Sequence, residues 1–238
     1  MQRRCGISEI ASRFAKARIA FVIARNLAIT QARPPELDML IAERERDCRA
    51  RWADAELSQI PGIAAWREAY KGFGIRKTSY RSSVERLVKR VLAGERLPAV
   101  NTLVDIYNAV SLTHVFCCGA DDLDRTSGDL VFRYARPGDS FIDMGAADGD
   151  DPNDPPKAGE VVYADDDKVL CRRWNWRQDA RSGIGPDTRT AVITVQANGW
   201  GDLAAAVEDL TALLRRFAGA DAVSLVVSEG APEAVLPA

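Results

Sequence analysis

A single histidine, His114, stands in a chain of 238 residues. A multi-histidine metal centre is therefore excluded, and any Ser-His-Asp or Cys-His mechanism must use that one imidazole. Cys117 and Cys118 lie near it in sequence, but nothing around them marks an activated thiolate. Cysteine is scarce as well, limited to Cys5, Cys48, Cys117, Cys118 and Cys171. An odd count, irregular spacing and no Cys-x-x-Cys make a poor disulfide framework, and a reduced, cytoplasmic setting is expected. No apolar run approaches the roughly 20 residues that span a bilayer, so no membrane partner is expected. Two arginines open the chain, but no apolar stretch follows them directly, so no secretory signal is expected. There is no internal repeat and no low-complexity tract, and neither a cofactor nor a metal is expected.

Net charge is small, at −2, but uneven. Residues 1–100 carry 20 Lys and Arg against 11 Asp and Glu, whereas residues 101–238 carry 12 against 23. A basic half is suited to a polyanion; equally, the two halves can pack and neutralise each other, because charge along a sequence does not define charge on a surface.

Arg18–Ala24 is an apolar run of strand length. Pro34-Pro35 opens a helix with Leu37, Leu40, Ile41, Cys48 and Trp52 inward and the charged Glu43–Asp47 in solvent. Pro61-Gly62 and Gly72-Phe73-Gly74 read as turns. Ser82-Ser83-Val84-Glu85 fits a capping box ahead of the stripe Val84, Leu87, Val88, Val91, Leu92, and Gly94 supplies a left-handed stop. A second helix runs from about Asn101 to Leu112, with Leu103, Ile106, Tyr107 and Val110 as its apolar stripe. Strands are expected at Leu130–Tyr134, Phe141-Ile142, Glu160–Tyr163, Lys168–Cys171, Ala191–Val195 and Ala222–Val227, and an acidic loop at 143–158. Asp202 caps a helix lined by Leu203, Ala206, Val207, Leu210, Leu213, Leu214 and Phe217. Strands clustered between helices without regular βαβ alternation favour α+β. Residues 1–70 form an N-terminal strand–helix segment of the same fold and residues 71–238 its main domain.

Four groups of residues are candidates for chemistry. The loop Asp148–Asp154 is acidic but fails the calcium-loop pattern, since Pro152 and Gly159 fall where ligands are needed. Arg76-Lys77 with Tyr80-Arg81 is a small basic–aromatic group that can meet phosphate or simply form a surface loop. Asn101, Asp105 and Asn108 recur on one side of the second helix; they line a pocket, or Asn101 caps the helix and the others are solvated. In Arg173-Trp174-Asn175-Trp176-Arg177, two tryptophans flank an asparagine. Such a group can enclose a flat ligand, or it is a hairpin with ordinary Trp packing.

Taken in order, these segments resemble a known family. Pro98 to Asn108, with Asn101, Val104-Asp105 and Asn108, is similar to a segment of the B3/B4 editing domain of phenylalanine–tRNA synthetase beta subunits. Asp122–Arg125 with Gly128–Arg133 resembles its next strand region, and Ala158-Gly159-Glu160 resembles its Gly-Gly-Glu. Asp187–Ala197 sits where that family returns to a strand. The likeness covers about residues 75–200. Ile7–Leu57 and the two-tryptophan stretch resemble the free-standing members more than the synthetase.

The resemblance implies mixed and antiparallel sheets flanked by helices. It also implies hydrolysis of a wrongly charged aminoacyl-tRNA by a positioned water. Glu160 matches the glutamate that reads the amino-acid side chain, with Asn108 and Asp105 beside it in the chemistry. Asn101, Arg173, Trp174, Asn175, Trp176, Arg177 and Arg81 would bind substrate. Gly119 stands where the synthetase has a histidine. The expected partner is an aminoacyl-tRNA or a free amino acid, and a complete tRNA ligase is not expected. A non-catalytic amino-acid or RNA-binding module is the alternative, and an ester hydrolase recruited to small-molecule metabolism is a third reading.

Overall fold

The computed structural model describes residues 2–76 and 79–237, so Lys77 of the basic–aromatic group lies outside it. Among the described residues, two sheets and five α-helices make an α+β fold. The strands are β1 (Arg4–Gly6), β2 (Ala17–Arg25), β3 (Cys117–Asp122), β4 (Leu130–Tyr134), β5 (Val161–Ala164), β6 (Val169–Arg172), β7 (Arg177–Gln178), β8 (Ala191–Asn198), β9 (Asp221–Ser228) and β10 (Glu233–Val235). The helices are α1 (Pro35–Trp52), α2 (Pro61–Gly72), α3 (Ser83–Leu92), α4 (Thr102–His114) and α5 (Leu203–Ala218).

One sheet is antiparallel, in the order β3-β8-β2-β9. The other is mixed, in the order β10-β1-β4-β5-β6-β7, with β1 and β4 parallel. Strand β2 is apolar on both faces because both are covered. Helices α4 and α5 lie against the antiparallel sheet. On its opposite face Phe21 meets Phe132 and Tyr163 of the mixed sheet. Trp174 has no exposed surface and is the hub of an aromatic cluster with Phe14, Trp66, Phe73 and Phe132.

Several local expectations need correction. Pro61-Gly62 is not a turn but the first turn of α2, where proline suits a helix start. Gly62 is required by close approach, since a Cβ there would sit 2.6 Å from the Val115 carbonyl oxygen. Phe141-Ile142 makes only an isolated bridge, Ile142 to Asn153, rather than a strand. Ser82 stands at the N-cap of α3 but accepts no capping hydrogen bond. Glu85 is drawn instead to the guanidinium groups of Arg67 and Arg81, which bind a carboxylate more strongly than a backbone N–H does. Glu45, expected in solvent, is buried, bonded to Arg96 and to the Leu97 N–H. Among the described residues no helix is long and apolar enough to cross a membrane. All five cysteines are free.

Candidate functional site

A cavity of about 620 Å³ opens where edge strand β3 approaches α3 and the β6–β7 hairpin. Its floor comes from the strand alternation of β3 and β8. Gly119 pairs with Thr194 and Cys117 with Gln196, and Asp121 lies on the same side of β3. Asn108 of α4 enters from one side, and Asn175 and Trp176 of the hairpin turn from the other. Arg86, Lys89 and Arg90 of α3, with Arg81 and Arg177, form a rim that is basic overall, with Glu95 paired to Arg90.

The polar floor is pre-ordered. Tyr70 donates its hydroxyl hydrogen to Asn175 Oδ1 at 2.9 Å, Asn175 Nδ2 donates to Gln196 Oε1 at 3.1 Å, and Gln196 Nε2 donates to Thr194 Oγ1 at 3.0 Å. This chain defines the orientation of both amides. Asn108, by contrast, makes no side-chain hydrogen bond among the described residues and keeps its amide for the cavity. Asp121 Oδ1 accepts from Ser182 Oγ at 2.6 Å and Gln178 Nε2 at 3.0 Å. Burial pushes the Asp121 carboxyl up to about 7, against the pull of those two hydrogen bonds.

The hairpin turn takes its shape from two consecutive non-glycine residues in the left-handed region, Arg173 at φ 46° and Trp174 at φ 67°. Such geometry persists only where surrounding packing over-determines it. Here the turn buries Trp174 in the core and presents Asn175 and Trp176 to the cavity. Arg173 is buried over the rings of Tyr80 and Trp176, at 3.9 and 4.2 Å from their centroids, and burial lowers its pKa.

The residues singled out from sequence therefore separate into two groups. Asn108, Asn175, Trp176, Arg177 and Arg81 come together on the cavity wall. Asn101 caps α4 through the Val104 N–H, and Asp105 is buried against Arg33 at 2.8 Å. Glu160 is buried in a fork with Arg172, at 2.8 and 3.1 Å, and reaches Arg173 at 3.3 Å. Trp174 belongs to the aromatic core. Asn101, Asp105, Glu160, Arg173 and Trp174 are absent from the cavity lining.

Asp121, Thr194, Gln196 and Gln178 line the cavity without having been expected from sequence. Thr194 and Gln196 are visible as alternate polar positions in an apolar strand. Asp121 is hidden because Cys-Cys-Gly-Ala-Asp-Asp is a poor strand former. Among the described residues no group of three or more His, Cys, Asp or Glu is placed to hold a metal.

The sequence model of the B3/4 domain matches residues 65–200. Among solved structures, the chain is similar to an N-terminal fragment of the phenylalanyl-tRNA synthetase beta-subunit from Pyrococcus horikoshii, at 11% identity and a TM-score of 0.41. That match covers 87% of this chain and 49% of the other, so the chain spans about half the length of that fragment. No curated protein matches the chain.

Proposed function

The chain belongs to the B3/4 domain family, and from that premise we propose that its cavity receives the aminoacyl group of a charged tRNA and hydrolyses the ester. The observation that carries this reading is the layering of the cavity, an ordered polar floor under a basic rim. Among the rim cations, Arg86 and Lys89 meet no carboxylate among the described residues and suit the phosphates near the acceptor end, while Arg81 and Arg177 are paired with Glu85 and Asp143. The floor takes the amino acid. Asn108, with its amide uncommitted, holds a water. The water oxygen attacks the ester carbonyl, the bond to the ribose oxygen breaks, and the ribose oxygen takes up the proton. No protein nucleophile takes part: burial pushes the pKa of the cavity thiols, Cys118 and Cys171, well above the usual thiol range. Asp105, Asn101 and Glu160 act by holding α4 and the hairpin in place rather than by touching substrate. Five free cysteines accord with a reducing, cytoplasmic setting.

A panel of correctly and wrongly charged tRNAs, incubated with the wild type and with Asn108→Ala, tests the reading. Release of one amino acid, lost in Asn108→Ala, is the expected result. No release from any species by folded protein makes the cavity a binding module for an amino acid or RNA. Gly119, standing where the resemblance places a histidine, favours that second reading.

A further inference from the structure

Eight carboxyl side chains are buried among the described residues, and seven have a cation beside them. Glu45 has Arg96, Glu85 has Arg67, Asp105 has Arg33, Asp122 has Arg125, Glu160 has Arg172, Asp165 has Lys168 and Asp179 has Arg181. Asp121 has none. Its Oδ1 is held by two neutral donors, Ser182 and Gln178, and its Oδ2 meets no protein donor among the described residues. A buried charge without a counter-charge is costly, and a fold that pairs seven such groups leaves the eighth open on the floor of this cavity.

A second, independent feature lies two residues away on the same face. A Cβ built on Gly119 would meet nothing within 4 Å. Neither packing nor a left-handed backbone requires glycine there, and glycine weakens a strand interior. The missing side chain leaves room beside the open carboxylate.

We propose that Asp121 seats the protonated amine of the ligand, so that the cavity selects α-amino acid derivatives with a free amino group and rejects N-acylated ones. This rests on the reading of the cavity as an aminoacyl site and adds which end of the amino acid enters first. The amine supplies the counter-charge that the fold withholds, through a charge-assisted hydrogen bond to Oδ2. The other titratable groups facing Asp121 stay out of the exchange. Tyr107 of α4, Tyr163 of β5 and Cys171 of β6 are all held neutral by burial. Lys168 and Asp165, at the β5–β6 turn, are paired with each other. The amine therefore meets a carboxyl poised near neutral pH and drives off its proton on binding.

The test follows the ¹³C resonance of the Asp121 side-chain carboxyl in the full chain. The probes are amides of the common amino acids and their N-acetyl counterparts, at millimolar concentration. At least one free-amine amide is expected to shift the resonance saturably and to lower its titration midpoint below about 7, while its N-acetyl form does neither. Asp121→Asn keeps an oxygen for Ser182 and Gln178 and should lose at least about tenfold in affinity. Gly119→Leu, which leaves the carboxyl intact, should abolish binding by filling the space beside it. Equal binding of the N-acetyl forms, or no binding of any amide, overturns the proposal. The two readings fail separately. Amine binding without ester hydrolysis removes only the deacylase reading, and equal hydrolysis of N-acetylated and free aminoacyl-tRNA removes only the amine seat.

Discussion

Glu160 and Asp121 are equally buried, each 4% exposed, and they have opposite surroundings. Glu160 is closed on itself by Arg172 and Arg173, in a knot that ties the start of β5 to the β6–β7 hairpin. Asp121 rests on neutral donors and faces the cavity. A carboxylate with its charge met inside the protein is part of the scaffold; one with its charge unmet is available to a ligand. The family likeness favours Glu160, whereas no motif marks Asp121.

The largest effect that would sharpen this contrast comes from Glu160→Ala. It leaves the fully buried Arg172 with Asp154 as its one remaining carboxylate among the described residues and takes away the carboxylate beside the buried Arg173. A loss of about 3–5 kcal/mol is expected in denaturant titrations, with a loss of ligand affinity in the remaining folded protein smaller than that of Asp121→Asn. A folded, stable Glu160→Ala protein that fails to bind would place Glu160 in the binding site itself.

Asp121→Asn should act in the opposite direction. The carboxyl is raised in the fold from an ordinary 3.8 to about 7. The folded state thus holds a proton that the unfolded chain has already released, and stability falls as pH rises through that window and is flat above it. The variant should remove this slope. At pH 8 it should be more stable than the wild type by about 1–4 kcal/mol, since a tenfold difference in proton affinity between folded and unfolded chain is worth about 1.4 kcal/mol. Thermal melts at several pH values read it directly, and a variant that is less stable at pH 8 would show that the carboxylate is compensated after all.

Smaller effects probe the floor and the rim. Tyr70→Phe removes the first bond of the chain to Asn175 and should cost about 1 kcal/mol of stability, together with a loss of order at the Asn175 amide visible by NMR. Lys89→Ala should leave stability within about 0.5 kcal/mol. It should also reduce the salt dependence of tRNA binding by about one unit of log–log slope. An unchanged slope would take Lys89 off the path of the polyanion.

Much of the scaffold is legible from residue order alone. The apolar run of β2, the stripes of α3, α4 and α5, and the Asn101 and Asp202 caps are local signals, and each depends on neighbours within one or two turns. Helix α2 is not legible because Pro-Gly reads as a turn in isolation, nor strand β3 because Gly and Asp are weak strand formers. Both exist because their neighbours cover them. The candidate site is half legible: Asn108 and the hairpin residues Asn175 and Trp176 reach the cavity, whereas Trp174, adjacent to Asn175, does not. A tight turn sends adjacent side chains to opposite sides, and residue type does not say which.

Sequence alone determined the α+β class, most elements and the kinship carried by residues 65–200, because propensity, capping and periodicity act over short separations. The tertiary structure decided which charges are met. Arg172 is adjacent to Arg173 in the chain, but their partner Glu160 lies 12 residues from Arg172, and the donors to Asp121 lie 57 and 61 residues away. Compensation of a buried charge is a matter of a few ångströms in space, and only the packed sheets establish which carboxylate is left to face the cavity.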